Sequence, residues 1–169
     1  MDKSLYNEIF KLKQIIRKGW QMRNVQGRVE SDAEHTFSMM ILALELMSKN
    51  DLKLDELKVL KIITYHELCE IDAGDITPYD NISEEEKYKR EYACVERLSR
   101  EYDVREILDI WLEFETAGTD EAKFVKMIDK YDAVLQCKIY AETNNNPEMY
   151  NEFYSRAELI CKEMENLKR

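Results

Sequence analysis

Only two histidines occur in the chain, and both stand beside carboxylate side chains. His35 follows Glu34, and His66 is followed at once by Glu67. On a helix, His66 and Glu70 share one face because they are four residues apart, whereas Glu67, the next residue after His66, lies on a neighbouring face. Imidazole nitrogens and carboxylate oxygens without thiolates suit Mn, Fe, Co, Ni or Zn better than Ca, which prefers ligand sets of oxygen alone. The two histidines therefore predict a divalent metal site whose ion the sequence does not identify.

Other chemistries fit the sequence less well. The segment HELCE is similar to the HExxH motif of zinc proteases, but Glu70 stands where that motif has its second histidine. A Gly-x-Ser-x-Gly elbow and a P-loop are both absent from the sequence, which disfavours serine hydrolases and P-loop nucleotide-binding proteins. Cys69 stands near carboxylates, which raise the pKa of a thiol and disfavour a nucleophilic thiolate. A histidine packed in the core or on the surface remains the alternative at each position.

Two aspartates further along the chain could also reach a metal. Asp129 and Asp132 lie on a predicted helix with the apolar stripe Phe124, Val125, Ile128, Tyr131 and Leu135. Either aspartate could equally be solvated surface, so periodicity alone does not choose between them.

A basic segment precedes the first histidine in a chain whose formal net charge is −10. The acidic balance argues against a nucleic-acid polymer as partner, since such binding needs many Lys and Arg side chains along the phosphates. Residues 9–29 nevertheless contain no Asp or Glu and carry six cations: Lys11, Lys13, Arg17, Lys18, Arg23 and Arg28. The segment is either a solvated helix face or a local anion pocket.

The elements that must position these residues are helices. Four Gly and two Pro in 169 residues, with many Leu, Ile, Glu and Lys, are typical of an all-α protein, and the length predicts one domain over 1–169. Two capping boxes, Ser31 with Glu34 and Ser83 with Glu86, mark helix starts, and Gly19 and Gly27 bracket a predicted loop. About seven helices of a compact bundle are predicted, over 5–16, 31–48, 55–71, 83–101, 103–116, 119–140 and 148 onward.

The composition also bears on location. No stretch is apolar for long enough to cross a membrane, and the amphipathic start lacks the apolar core of a signal peptide. The four cysteines are far apart and form no CxxC pair. We therefore expect reduced thiols in a cytoplasmic protein at Cys69, Cys94, Cys137 and Cys161.

Three ordered blocks carry a family resemblance over roughly residues 10–140. They are GWQMRNVQGRVESDAEH, YHELCEIDAGDITPYDNISEEEKYKRE and WLEFETAGTDEAKFVKMIDK. Together they resemble the HD-domain 5′-deoxynucleotidases, which are helical, metal-dependent phosphohydrolases. The resemblance implies one divalent ion, which could be Mn, Co, Fe, Ni, Zn or Mg, and selects Asp129 over Asp132 through the block FVKMID. The implied metal ligands are His35, His66, Glu67 and Asp129.

The same resemblance implies roles around the metal. Glu70 would orient the attacking water or move its proton, and Asp75 would protonate the leaving 5′ oxygen or hold the sugar hydroxyl. Independently of the resemblance, we expect Lys18 and Arg23 of the basic segment to neutralise phosphoryl charge, because the rest of the chain is strongly acidic. Substrate contacts are implied for Trp20, which would help select the sugar, and for Asp75, Ile76, Thr77 and Pro78. A small nucleotide substrate and a homodimer are the implied partners.

One position departs from the family pattern. The doublet that names the family is His-Asp, whereas this chain has His66-Glu67. Glu keeps the charge and adds one methylene, so we expect a working site with altered metal preference. The alternatives are a non-catalytic nucleotide- or metal-binding module with the same fold, and an HD hydrolase acting on another small phosphoester. In the last helix, Tyr150, Phe153 and Tyr154 could be core or a dimer contact.

Overall fold

The computed structural model describes residues 4–167, with part of the side chains in the last helix. These residues form nine α-helices and one 3-10 helix, and they contain no strand beyond an isolated bridge between Ile16 and Ser31. The all-α prediction is confirmed. The helices are α1 (Tyr6–Leu12), α2 (Lys18–Met22), α3 (Asp32–Asn50), α4 (Glu56–His66), the 3-10 helix (Glu67–Cys69), α5 (Glu70–Ala73), α6 (Glu84–Glu101), α7 (Glu106–Thr116), α8 (Asp120–Thr143) and α9 (Pro147–Leu167).

The first predicted helix ends earlier than its apolar stripe suggested. After Leu12 the chain leaves α1 and runs antiparallel to the residues that precede α3. The amide of Arg17 donates to the carbonyl of Glu30, and the amide of Asp32 donates to the carbonyl of Ile15, both at 3.1 Å. These bonds fix the basic segment beside the start of α3. The short α2 then lies where a loop between Gly19 and Gly27 was predicted.

The helix predicted over 55–71 is divided into three pieces. Regular α4 ends at His66, a 3-10 turn covers Glu67–Cys69, and α5 begins at Glu70. A 3-10 turn is tighter than an α-turn and rotates the side chains that follow it. The position of Glu67 and Glu70 relative to His66 therefore differs from that in one continuous α-helix.

The core has two apolar clusters, and this divided segment joins them. Ile62 and Ile63 of α4 belong to the first cluster, which gathers side chains of α3, α4, α8 and α9. Leu68, Cys69 and Ile71 belong to the second, which lies among α1, α6 and α7. The residues from His66 to Glu70 thus stand at the boundary between two packed cores, where close packing restricts their movement.

The last helix closes the first cluster. Phe153 is buried within that cluster, and Tyr150 packs against it with part of its surface exposed. Both contacts favour the core alternative for these two residues. The side chain of Tyr154 lies outside the described part of the chain.

Two further features concern thiols and membranes. Cys69 and Cys94 are buried thiols outside any disulfide, and Cys137 is also buried. The side chain of Cys161 lies outside the described part. None of the helices in residues 4–167 combines the length and apolar character needed to span a bilayer.

Candidate metal centre

His35 is positioned by the capped start of α3. The hydroxyl oxygen of Ser31 accepts from the amide of Glu34, and the Glu34 carboxylate accepts from the amide of Ser31 at 2.9 Å. This predicted capping box satisfies two amides that the first helical turn leaves unpaired. His35 stands one residue further on, with no exposed surface. The cap therefore fixes the backbone from which the imidazole projects.

Two aspartates on one face of α8 contact the two nitrogens of His35. The Oδ2 atom of Asp132 lies 2.8 Å from Nδ1, and the Oδ1 atom of Asp129 lies 3.1 Å from Nε2. Asp132 is buried, while the side chain of Asp129 keeps 33% of its surface exposed. A carboxylate on one ring nitrogen, with the other nitrogen facing further potential ligands, is the usual setting of a metal-binding histidine. Both aspartates thus belong to the site, in different places.

His66 ends α4 with its ring held by a backbone carbonyl. Its Nδ1 atom donates to the carbonyl oxygen of Ile63 at 2.7 Å, so Nε2 carries a lone pair. That Nε2 atom is buried without a hydrogen-bond partner among the described residues, and the Oε1 atom of Glu67 lies 3.2 Å away. Two electron-rich atoms at this distance repel each other unless a positive charge lies beside them. The unpaired nitrogen therefore fits a metal ion.

Glu67 begins the 3-10 turn, and its carboxylate lies against both imidazoles. Its Oε1 atom is 3.6 Å from Nε2 of His35, and it accepts from Nη1 of Arg17 at 3.0 Å. Two nitrogens and two carboxylate oxygens form a donor set that suits divalent transition metals. One ligand atom from each of four residues lies within 4.8 Å of the others, and these residues are His35, His66, Glu67 and Asp129.

The electrostatics of this cluster favour positive charge. Burial and the Arg17 guanidinium lower the pKa of His35, but the hydrogen-bonded carboxylates of Asp129 and Asp132 outweigh them and raise it to about 10. Burial alone would raise the pKa of Glu67, yet Arg17 and the histidines hold it well below its usual range. The carboxylates of the cluster create an excess of negative charge, which either a protonated imidazole or a bound metal ion would offset.

A second group of carboxylates adjoins the first. Glu70 at the start of α5 is buried and lies near Asp32 of α3, which has no exposed surface. Both oxygens of Asp32 and the Oε2 atom of Glu70 lack hydrogen-bond partners among the described residues. Burial, with the carboxylates of Glu67 and Asp32, raises the pKa of Glu70 well above its usual range. Burial also raises the pKa of Asp32 to about 7. Glu70 is therefore able to hold a proton beside the cluster.

The loop after α5 contains Asp75, Ile76, Thr77 and Pro78. The Oδ2 atom of Asp75 accepts from the backbone amide of Lys18 at 2.5 Å. The ammonium group of Lys18 pairs with Asp80, whose other oxygen accepts from the amide and hydroxyl of Thr77 at 2.8 Å. Lys18 thus contacts the loop through both its backbone amide and its side chain, and the cation of the basic segment that contacts the cluster is Arg17.

Two cavities meet at this place. The larger has a volume of about 610 Å³ and is lined by His66, Glu67, Glu70 and Asp129 among others. The smaller, of about 230 Å³, is lined by most of the residues predicted to bind substrate, namely Trp20, Arg23, Asp75, Ile76, Thr77 and Pro78. Arg17, Asp75 and Ile76 line both cavities. A single ligand can therefore occupy both.

Trp20 is a wall of the smaller cavity rather than an exposed platform. Only 5% of its surface is accessible, its Nε1 atom donates to Glu30 at 2.8 Å, and its ring stacks against Phe153. Arg23 lines the same cavity, with its guanidinium carbon 5.1 Å from the Phe153 ring centre. These contacts fix the shape of the smaller cavity.

Two residues of the site, Arg17 and Asp32, are not singled out by the sequence, and a third, Asp132, is named there only as the alternative to Asp129. Arg17 is one cation in a basic segment, and Asp32 lies beside a capping box. A weak signal existed for Asp132, since His35 must find a partner for its second nitrogen. The other two positions depend on the way residues 15–17 run beside the start of α3, which no local pattern reveals.

This all-helical fold with its histidine and carboxylate cluster agrees with the comparisons to known proteins. The model of the HD domain matches residues 9–168. The chain therefore belongs to the HD-domain family.

Its relatives include enzymes and a solved structure. The chain is 36% identical over 146 residues to human 5′-deoxynucleotidase HDDC2, an alignment that covers 85% of this chain and 70% of the human protein. It is 34% identical to 5′-deoxynucleotidase hdd1 of Schizosaccharomyces pombe, covering 89% and 77% of the two chains. A crystal structure of a Pyrococcus horikoshii protein superposes with a TM-score of 0.75 at 26% identity, covering 97% of this chain and 96% of that one.

Proposed function

We propose that this protein hydrolyses deoxynucleoside 5′-monophosphates, with a divalent metal held by His35, His66, Glu67 and Asp129. The observation that carries the proposal is the bare, buried Nε2 atom of His66, which faces a carboxylate 3.2 Å away on the wall of a large cavity. The substrate class comes from the relatives named 5′-deoxynucleotidases. When bound, a divalent ion supplies positive charge for phosphoryl oxygens and lowers the pKa of a water from about 15.7 toward about 7.

Arg17 supplies the fixed positive charge of the site. Its Nη1 atom already donates to Glu67, which leaves further N–H groups of the guanidinium to meet phosphoryl oxygens. Because Arg17 lines both cavities, it can hold a phosphate where they join. The backbone amide of Lys18 donates to Asp75 and holds it in place. The basic segment thus contributes two things to the site, the guanidinium of Arg17 and this backbone hydrogen bond.

Glu70 and Asp75 are the proton-handling groups of the proposal. Glu70 lines the larger cavity and has one buried oxygen without a hydrogen-bond partner among the described residues. In its carboxylate form it can accept a proton from an attacking water, and its raised pKa favours keeping that proton. Asp75 stands where the two cavities join, near the place where a 5′ oxygen would leave. In its carboxylic acid form it can protonate that oxygen and become a carboxylate, or as a carboxylate it can hold a sugar hydroxyl.

The smaller cavity suits the nucleoside. Its walls combine the Trp20 ring, Ile76 and Pro78 with the cation of Arg23, a mixture typical of pockets for small organic ligands. Trp20 is fixed by Glu30 and Phe153, so it limits the space beside the sugar. Rigid walls discriminate between sugars by size more sharply than mobile ones.

Finer features of the proposal rest on composition and family resemblance. We expect one ion per chain, a small nucleotide rather than a nucleic-acid polymer, and a cytoplasmic homodimer. The net charge of −10 supports the choice of a small substrate. The exposed apolar residues Phe37, Ile41 and Leu44, spaced along one face of α3, support the dimer. Analytical ultracentrifugation tests the oligomeric state.

The proposed activity is tested with purified protein, Mn²⁺ or Co²⁺, and a panel of nucleotides. We expect phosphate release from dAMP or dGMP that EDTA stops and added metal restores. A panel that includes ribonucleotides, triphosphates and other phosphoesters separates this substrate class from that of other HD hydrolases. Metal binding without phosphate release from any member of the panel would contradict the proposal and favour a binding module.

The role of Glu70 is tested in the same assay. Glu70→Gln should lower the rate of phosphate release by at least about a hundredfold, since general acid–base groups contribute 10²–10⁴-fold. The metal content measured by elemental analysis should stay unchanged, because Glu70 is outside the four-residue cluster. Full activity in this variant would remove Glu70 from the proton transfer.

A further inference from the structure

The larger cavity has far more acidic than basic groups in its walls. Beyond the metal cluster, α6 contributes Glu84, Glu85 and Glu91, and α7 contributes Glu115. Among the described residues that line this cavity, only Arg17 and Lys87 are Lys or Arg. A phosphate monoester brings up to two further negative charges into these surroundings. The acidic side chains would repel the phosphate, and one metal ion would offset only part of this repulsion. Cations on the cavity wall must offset the rest.

The two wall cations differ in how far they are already paired. Arg17 donates to Glu67 at 3.0 Å and so is tied to the metal cluster. Lys87 is half-buried, and its Nζ atom is 3.7 Å from the nearest oxygen of Glu91, one turn further along α6. That distance is too long for a strong hydrogen bond, so the ammonium group keeps donors for a ligand.

Glu91 lies beside Lys87 and attracts its ammonium group without neutralising it in a tight pair. Glu91 is buried, and it lines the same cavity as the ammonium group. Burial lowers the pKa of Lys87, but the carboxylates of Glu91, Glu84 and Glu70 outweigh burial and raise it. Lys87 therefore remains charged at neutral pH. It also lies close enough to Glu70, the group assigned to proton transfer, for the two charges to interact.

We propose that Lys87 binds a phosphoryl oxygen of the substrate from the α6 wall of the cavity, and that Glu91 is its positioning residue. This inference rests on the proposed function and adds a second protein cation to the phosphate site. Lysine is suited to this role because it acts as a compact point charge with three donors. Arg17 and Lys87 would then contact the phosphate from different elements, the basic segment and α6.

The test compares Lys87→Met with Lys89→Met in the full chain. Lys89 lies two residues further on the same helix, has a 64% exposed side chain and pairs with Glu85. The probe is inorganic phosphate, the product of the reaction, titrated calorimetrically into the Mn²⁺-loaded protein. We expect Lys87→Met to weaken phosphate binding by about tenfold or more, as loss of a charge-assisted hydrogen bond should. Lys89→Met should bind phosphate like the natural protein.

Kinetics add a second readout. With dAMP, Lys87→Met should lower kcat/KM by a similar factor, Lys87→Arg should recover part of the loss, and Mn²⁺ affinity should be unchanged in both. Should Lys87→Met fail to fold, as judged by circular dichroism, Lys87→Gln replaces it in the titration.

Unchanged phosphate affinity in the Lys87 variants would overturn the inference. A folded Lys87 variant that loses Mn²⁺ as well as phosphate would also overturn it, since the residue would then support the metal cluster. If the natural protein hydrolyses no nucleotide, the proposed function fails, and the phosphate titration still decides the role of Lys87 separately.

Discussion

Asp132 determines which nitrogen of His35 faces the metal cluster. Its carboxylate lies 2.8 Å from Nδ1, a bond that holds a proton on Nδ1 and leaves Nε2 as the nitrogen that a metal would bind. Asp132→Ala should weaken Mn²⁺ binding by roughly 10- to 100-fold, the usual effect of removing such a partner. Asp132→Asn keeps an acceptor for the N–H group and should lose less. Isothermal titration with Mn²⁺ measures both variants, and equal affinity in all three proteins would show that Asp132 does not orient His35.

Glu67 is the residue in which this chain departs from the family doublet. Its Oε1 atom contacts Arg17 at 3.0 Å and lies within 3.6 Å of both Nε2 atoms, so its length fits this site. Glu67→Asp withdraws the carboxylate by about 1.5 Å. We therefore expect weaker Mn²⁺ binding, by about tenfold or more, and a changed order of preference among Mn²⁺, Co²⁺ and Mg²⁺. Binding in Glu67→Asp as tight as in the natural protein would mean that the length of the side chain is unimportant.

The sequence predicts individual residues of this site unevenly. His35, His66 and Glu67 stood out because histidine is scarce and carboxylates adjoin it, whereas choosing Asp129 needed the family resemblance. Arg17 and Asp32 could not be found, because their proximity to the cluster comes from backbone bonds between residues 15–17 and 30–32. Such pairings join short irregular segments that have no periodicity of their own.

At the scale of the elements, the cap of α3 carries His35 into the site. Ser31→Ala removes the capping bond and should lower the free energy of unfolding by about 1 kcal/mol. It should also weaken Mn²⁺ binding, because His35 lies in the first turns of the helix. Ser83→Ala is the matched control. Ser83 caps α6 by accepting from the amide of Glu86, and α6 carries none of the four proposed metal ligands. Thermal unfolding and Mn²⁺ titration of both variants check this, and an equal effect on Mn²⁺ binding would contradict it.

The helices themselves were largely predictable, and their interruptions were not. Capping residues placed the starts of α3, α6 and α8 correctly, since each capping side chain accepts from an amide in its own first turn, which is a local contact. The break of the predicted 55–71 helix into α4, a 3-10 turn and α5 left no trace in its apolar pattern. It allows Ile62 and Ile63 to pack in one cluster and Leu68 in the other, which is a property of tertiary packing.

For the whole molecule, the metal should act as a link between distant segments. Its four proposed ligands come from α3, the end of α4, the 3-10 turn and α8, and a metal would add bonds between them to the packing and the His35–aspartate contacts that already join them. A Mn²⁺ concentration one hundred times Kd should raise the free energy of unfolding by about 2.7 kcal/mol. For a chain of this length, Tm should rise by roughly 5 to 10 °C, and EDTA should reverse the rise. A Tm that does not change with Mn²⁺ concentration would mean that the ion does not bind the four-residue cluster of the folded protein.

The most direct measurement of the central claim is anomalous diffraction from crystals grown with Mn²⁺. We expect one peak bonded to Nε2 of His35, Nε2 of His66, and carboxylate oxygens of Glu67 and Asp129, at about 2.0–2.2 Å. A structure in which the Nε2 atom of His66 stays bare while Mn²⁺ binds elsewhere, or not at all, would contradict the account.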